Sequence, residues 1–349
     1  MLGKRIIAQV LCLALVFATI GCGKKVETTE SFFDGKKYLK ISELTEAGED
    51  IDVAGEKKEV LMSLDLSLSV PTYITKVNDT WFIVDCYHNK IIYSDSLDTP
   101  IQAWNIMCDE VVQPHTLASD GKVFLVDDTE NNRVLVYEKW CDKYLNTQVF
   151  NDIGNRPHFS VYDEASRTFY VWSSESGEMY CFKHTEDSTR MYLTDIRKVQ
   201  ELSDTYVRSF SIIDGDIYFV SGLSSGGKPP RILVCDLDTF EVKKSYPVPD
   251  EIAGMVQMTK IEDMFYVTIS TDITGNQDYA TLIRARSLED LSEGEYEDIY
   301  SEYFIGGGTP YNISQVEDTY FLTEHRLIDH QIWSFNVVDG NITNVQTVY

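Results

Sequence analysis

The chain has 349 residues, of which 43% are hydrophobic and 12% aromatic. This composition excludes an intrinsically disordered chain, and only the first twenty residues hold a long apolar run, which excludes a multi-span membrane protein. The 56 acidic and 30 basic residues give a net charge of −26, so nucleic acid and anionic lipid surfaces are poor partners.

The N-terminus carries the features of an export signal. Lys4 and Arg5 precede an apolar run over residues 6–20, which is short for a membrane-spanning helix and typical of a secretory signal. The run ends in Ala-Thr-Ile-Gly-Cys, with the cysteine at Cys22. This ending resembles the bacterial lipoprotein signal, in which the cysteine is lipidated and becomes the new N-terminus.

The resemblance implies a signal peptide over residues 1–21 and a lipidated N-terminus with a polar, flexible tether over residues 22–57. The protein would then be anchored on the extracytoplasmic side of the cell membrane through lipid at Cys22 alone. A plain secretory signal with an incidental Cys22 is the alternative. Beyond it, five scattered cysteines indicate neither a disulfide framework nor a zinc site.

An internal repeat dominates residues 58–349. Six segments share an aromatic residue at the second position and Val or Leu at the fourth, and successive aromatic residues are 42 to 55 residues apart. A polar turn precedes each segment and a further apolar run follows it, so each repeat predicts three or four short strands. The repeated aromatic residues are Phe82, Phe124, Phe169, Tyr218, Phe265 and Tyr320.

Six such repeats predict an all-β protein folded as a six-bladed β-propeller, with an open solenoid as the alternative. A blade has two apolar faces and buries both only between neighbouring blades. Two terminal runs, residues 60–69 and 342–348, compete to complete the last blade. We expect strands from both ends of the chain to close the ring.

The first two repeats contain a further pattern between their strands. Asp85 and Asp128 end a strand, and the pairs Asn89-Lys90 and Asn132-Arg133 come before the next one. Over residues 70–140 this pattern resembles NHL repeats. The resemblance implies a structural role, in which the Asp and the Asn-Lys or Asn-Arg pair tie the loop by hydrogen bonds.

The innermost strand of each blade lines the channel of a propeller, so the six strand starts meet at one mouth. Polar and aromatic side chains lie at these starts, and Arg208 among them suits a carboxylate or phosphate. We therefore expect a non-catalytic module without a cofactor that binds a small polar ligand, a glycan or a protein. The expected channel-face residues are Thr72, Tyr73, His115, His158, Arg208, Ser209, Gln257, Tyr311 and Asn312.

The rival hypothesis is a metal-dependent lyase or hydrolase that uses His115 and His158, with zinc or calcium at the channel. Peptidylglycine lyases resemble this chain in fold class and use His at the channel. However, catalytic zinc needs three protein ligands, and the equivalent third position holds Ser209. Gluconolactonase-like propellers use acidic and Asn ligands, and only Asn312 matches them. No further catalytic residue stands out in the sequence.

Overall fold

The computed structural model describes residues 67–222 and 227–349. Within these ranges 24 strands form six four-stranded antiparallel sheets, and in each sheet the four strands follow one another along the chain. The fold is therefore the six-bladed β-propeller that the repeat predicts. Residues 1–66, with the expected signal peptide, Cys22 and tether, lie outside the described residues, as do residues 223–226.

Each blade is built from four consecutive strands, numbered in chain order. Blades 1 to 3 contain β1 Pro71–Val77, β2 Thr80–Asp85, β3 Lys90–Ser94, β4 Asn105–Cys108, β5 Leu117–Ser119, β6 Val123–Asp128, β7 Arg133–Trp140, β8 Lys143–Phe150, β9 Pro157–Asp163, β10 Thr168–Ser173, β11 Glu178–His184 and β12 Met191–Lys198. Blades 4 to 6 contain β13 Val207–Ile213, β14 Asp216–Ser221, β15 Arg231–Asp236, β16 Val242–Pro247, β17 Met255–Ile261, β18 Met264–Ile269, β19 Thr281–Ala285, β20 Glu297–Asp298, β21 Thr309–Val316, β22 Thr319–His325, β23 Ile332–Val338 and β24 Asn341–Thr347.

Helices are short and confined to connections in the described part of the chain. The α-helices are α1 Leu288–Ser292 and α2 Tyr300–Tyr303. Single 3₁₀ turns cover Cys86–His88, Ile101–Ala103, Thr129–Asn131, Gln200–Leu202, Asp250–Ile252 and Gln277–Tyr279.

Tight turns join the first two strands of most blades. Asn78, Asp214, Glu262 and Glu317 each begin a two-residue turn with φ between 51° and 55°. Asp214 is followed by Gly215 at φ 83°, and both residue types tolerate this left-handed region. The polar turns of the sequence repeat therefore set the hairpin register of the inner strands.

Six apolar clusters lie one between each pair of neighbouring blades. Phe82 and Phe124 show the pattern, because their rings pack 5.3 Å apart between blades 1 and 2 and both are almost fully buried. Burying one such ring contributes about 2 kcal/mol of transfer free energy. The cluster around Ile74, Phe321 and Ile332 joins blade 6 to blade 1, so the core runs around the whole ring.

The C-terminal run supplies the fourth strand of blade 6, because β24 pairs with β23. The contribution that we expect from the N-terminal run falls mostly outside the described residues; within them, side-chain contacts join blade 6 to blade 1. Ser314 donates a hydrogen bond to the Ile74 carbonyl, and Tyr349 donates to carbonyls of blade 1. Residues 60–66 of the N-terminal run lie outside the described residues, and Ser67–Val70 form no strand.

The loops between the second and third strands of blades 1 and 2 are tied as expected. Asp128 accepts hydrogen bonds from the Val112 amide, the Asn131 side chain and Arg133. Asn132 takes the left-handed conformation at φ 52°, and its side-chain oxygen accepts from the Arg156 amide of the next blade. These bonds fix the connection that leads into the following inner strand.

Candidate functional site

The inner strands β1, β5, β9, β13, β17 and β21 lie next to one another around the channel. Because each starts after a connection at the same end of the propeller, residues far apart in sequence meet there. We call this end the channel mouth, defined by Cys86, His115, His158, Tyr206, Arg208, Ser270, Tyr311 and His325. All six blades contribute to it.

Three of the expected binding residues instead join the inner strands to one another. Thr72 donates from Oγ1 to the His115 carbonyl at 2.9 Å, and Ser209 donates to the Val256 carbonyl at 2.7 Å. The Gln257 amide forms two hydrogen bonds with the Ile313 backbone, at 3.0 and 3.2 Å. Their polar atoms are used inside the ring, so they shape the channel.

The other two expected inner-strand residues, Tyr73 and Asn312, lie in different surroundings. Tyr73 packs against the apolar cluster between blades 1 and 2. Asn312 is buried, and its Oδ1 atom has no hydrogen-bond partner among the residues that the structure describes.

The two histidines lie in direct contact at the channel mouth. The rings of His115 and His158 stack with centroids 3.7 Å apart and planes 25° apart. Tyr311 lies on the other side of His115, with centroids 6.2 Å apart and planes 23° apart. Tyr206 meets His158 edge-on at 5.9 Å. Four rings from four inner-strand starts thus form one aromatic wall.

Hydrogen bonds fix the tautomer of His158. Its Nδ1 lies 2.9 Å from the Arg208 carbonyl oxygen, which can only accept, so Nδ1 carries the hydrogen. Nε2 therefore accepts from the Tyr206 hydroxyl at 3.3 Å. Burial, and next the neighbouring His115, hold the pKa of His158 well below its usual range. The ring is neutral.

His115 is fixed in the same way. Thr129 donates its hydroxyl hydrogen to the Pro157 carbonyl at 2.8 Å and so accepts from His115 Nδ1 at 3.0 Å. His115 Nε2 faces the Cys86 thiol, with Sγ at 3.7 Å. Burial lowers the pKa of His115 to about 3, and Arg156 and Arg208 add to this effect.

Cys86, His115 and Asp127 have the order of a nucleophile, a base and an orienting acid, but the charge states do not suit nucleophilic catalysis. Burial raises the pKa of the Cys86 thiol far above its ordinary value, so no thiolate forms. The Asp127 carboxylate lies 3.9 Å from His115 Nδ1 and accepts hydrogen bonds from the amides of His115 and Thr116. Its role is to hold the start of the inner strand.

Arg208 brings positive charge to the channel mouth. Its guanidinium lies over the Tyr206 ring at 5.4 Å, and Nη1 donates to Ser270 Oγ at 2.5 Å. The His325 ring lies beside Tyr311, with the ring centroids 6.4 Å apart. Burial, and next Arg326 and Arg208, lower the pKa of His325 to about 4. The mouth therefore combines neutral imidazoles, phenols and a guanidinium.

The geometry does not fit the rival metal site. Both Nδ1 atoms donate hydrogen bonds, and the two Nε2 atoms face a thiol and a phenol rather than one common point. Ser209, at the third equivalent position, is used by the Val256 carbonyl. Within residues 67–222 and 227–349, no three His, Cys, Asp or Glu side chains are arranged to hold a metal ion.

Four residues of the channel mouth were not predicted from the sequence: Cys86, Tyr206, Ser270 and His325. Tyr206 lies two residues before Arg208, just outside the strand starts that share an equivalent position in the repeats. His325 ends β22, and strand ends of second strands reach the same end of the propeller as the starts of first strands. That topological relation was the available signal for it.

A separate cavity of about 370 Å³ opens between blades 5 and 6. Tyr279, Tyr296 and Tyr300 line it together with Asp278 and Asp298. It contains none of the residues that the sequence pointed to.

In the described part of the chain, we find no helix that combines the length and apolar character needed to cross a membrane.

Comparison with known proteins supports the fold. No family model matches the chain, and no curated protein does. A candidate 6-phosphogluconolactonase from Bacteroides fragilis NCTC 9343 is similar in structure, with a TM-score of 0.55 and 11% identity over 93% of this chain and 94% of that one. A candidate 6-phosphogluconolactonase from Bacteroides uniformis ATCC 8492 has a TM-score of 0.54 and 10% identity over 78% of this chain and 83% of that one. At these identities the likeness shows that the chain shares the β-propeller fold.

Proposed function

We propose that this protein is a non-catalytic binding module, anchored by lipid at Cys22 on the extracytoplasmic side of the cell membrane, that binds a small polar ligand at the channel mouth. The observation that carries the binding function is the stack of His115 and His158 beside Tyr311, with Arg208 at its edge. The buried stack supports the partly exposed rings of Tyr206 and Tyr311, and aromatic rings with a polar edge are suited to hold a small polar molecule.

The charge states support binding over catalysis. General acid–base catalysis works best with a pKa near the working pH, whereas both imidazoles are held neutral by burial. The thiol beside them stays protonated. These groups can donate and accept hydrogen bonds but are poorly placed to exchange protons with a substrate.

The anchor is tested in cells that express the full chain. Metabolic labelling with a radioactive fatty acid should label the wild type and not Cys22→Ser, and the wild type should fractionate with membranes. An unlabelled wild-type protein would contradict the lipid anchor and leave the binding function to its own test.

The binding function is tested by thermal unfolding of the full chain in detergent, with panels of monosaccharides, amino acids and small carboxylic acids. One class should raise the unfolding temperature, since a ligand at 100 times its Kd stabilises by about 2.7 kcal/mol. Tyr311→Ala should lose the effect and Tyr279→Ala, on an exposed loop, should keep it. Stoichiometric zinc or calcium in the purified protein, lost in the double variant His115→Ala and His158→Ala, would favour the enzyme instead.

A further inference from the structure

We infer that the ligand of the channel mouth carries a single carboxylate next to a flat ring, and that Arg208 binds that carboxylate. This inference rests on the proposed binding function and names the chemical class of the ligand. It is argued from the partners of the arginines, the charge of the mouth and the shape of its wall.

Arg208 differs from the other arginines near the channel mouth. Arg156 pairs with Glu130 and lies 4.0 Å from Glu175. Arg326 donates to the side-chain oxygen of Gln277 at 3.0 Å and to three backbone carbonyls, so it clamps loops together.

The Arg208 guanidinium forms neither kind of contact within the part of the chain that the structure describes. Within the described residues, no Asp or Glu oxygen lies within 4.0 Å of its nitrogens, and its hydrogen bond goes to the neutral hydroxyl of Ser270. A guanidinium has five N–H donors in a planar fork that matches a carboxylate. A half-buried guanidinium without a counter-charge is therefore ready to pair with an anion.

The imidazoles around Arg208 are uncharged. His115, His158 and His325 are kept neutral by burial, and the positive charge of Arg208 further lowers the pKa of each. In a chain with a net charge of −26, this local positive field distinguishes the mouth from most of the surface.

Arg326 donates its hydrogen bonds to loop oxygens, so among the described residues one guanidinium at the mouth, that of Arg208, has donors left for a ligand, and it favours a single negative charge. A phosphomonoester carries nearly two charges at neutral pH, and one guanidinium would leave part of that charge unmatched. A carboxylate accepts two parallel hydrogen bonds from one arginine. Tyr206 and Tyr311 are the partly exposed rings beside the buried histidine stack, and their aromatic surface suits a ligand that presents a flat face.

The test compares benzoate with its neutral analogue benzamide and with inorganic phosphate, by ligand-observed NMR titration of the full chain in detergent. Benzoate should bind about tenfold more tightly than benzamide, as expected for a hydrogen-bonded charged group. Arg208→Gln should remove this preference, and Arg208→Lys should restore part of it. The matched control is Arg286→Gln, an exposed arginine after β19, which should behave like the wild type.

Each other result overturns the inference in a recognisable way. Equal binding of benzoate and benzamide contradicts the carboxylate preference but leaves a binding site at the mouth. Tighter binding of phosphate than of benzoate assigns a different anion. Unchanged benzoate binding by Arg208→Gln, with circular dichroism showing a folded variant, places the anion elsewhere. The proposed binding function is tested separately, by the thermal unfolding experiment with panels of small molecules.

Discussion

His115 and His158 occupy equivalent positions in blades 2 and 3, and their imidazoles stack at 3.7 Å although they are 43 residues apart in sequence. Two buried imidazoles this close cannot both carry a positive charge without strong repulsion. Burial lowers the pKa of each and holds both in the neutral form, and their hydrogen bonds to a threonine hydroxyl and a backbone carbonyl fix the tautomers. The stack is therefore a neutral, rigid surface at the centre of the propeller.

The first prediction concerns the loss of stability in acid. The pKa of His115 falls from 6.5 to about 3 on folding, so between these values the unfolded chain binds a proton that the folded chain does not. The free energy of unfolding contributed by this group should therefore decrease as the pH falls from 6.5 towards 3, by about 1.4 kcal/mol per pH unit. The variant His115→Phe lacks the titrating imidazole and should lose this contribution to the pH dependence.

The measurement is urea unfolding of wild type and His115→Phe at several pH values between 7 and 4.5. The stability difference between the two proteins should shift in favour of the variant as the pH falls. A difference that stays constant over this range would contradict the neutral, buried imidazole.

The second prediction concerns Glu324, whose contribution to the free energy of unfolding should change with pH in the opposite direction. This carboxyl is fully buried in blade 6, where Tyr300 and Trp333 donate hydrogen bonds to it. Burial raises its pKa from 4.5 to about 7, against the effect of those hydrogen bonds. The folded protein thus holds a proton that the unfolded chain has lost above pH 4.5, and stability should decrease as the pH rises from 4.5 to 7.

Glu324→Gln keeps the shape and does not titrate. Relative to the wild type, the variant should gain roughly 3 kcal/mol of unfolding free energy between pH 4.5 and 8, because the wild type loses that amount over the window. Chemical unfolding of both proteins at the two pH values measures it. A gain in the opposite direction would show that Glu324 is stabilised as a carboxylate.

The third prediction tests ring closure through Tyr349, near the C-terminal end of blade 6. Its hydroxyl donates to the carbonyls of Leu97 and Thr99 in blade 1 and accepts from Trp104 Nε1 at 3.1 Å. Tyr349→Phe leaves these partners, of which Trp104 is buried, without the hydroxyl and should cost about 1 kcal/mol of stability.

Tyr279→Phe is the matched control, because the Tyr279 side chain is about half exposed on a loop of blade 5. It should change stability by less than about 0.5 kcal/mol. If both variants unfold at the same urea concentration, the hydroxyl of Tyr349 has no part in joining blade 6 to blade 1.

The sequence by itself determined the repeat and hence the architecture. Each repeated aromatic residue, such as Phe82 or Phe124, lies in the same hairpin as the polar turn before it. Both features are therefore visible in the local sequence. The equivalence of His115 and His158 followed from the same repeat, because equivalent residues of neighbouring blades must lie close together.

Tertiary structure decided what the polar residues at the channel do. Thr72, Ser209 and Gln257 look like ligand-binding residues in sequence, yet their polar atoms hydrogen-bond the backbone of the next blade. The reason is geometric: how neighbouring blades are staggered decides whether a side chain meets a carbonyl or open space, and no single strand encodes that stagger. Within blade 6, the pairing of β21 with β22 brings His325 beside Tyr311. The packing of the blades leaves Arg208 without a carboxylate partner among the described residues.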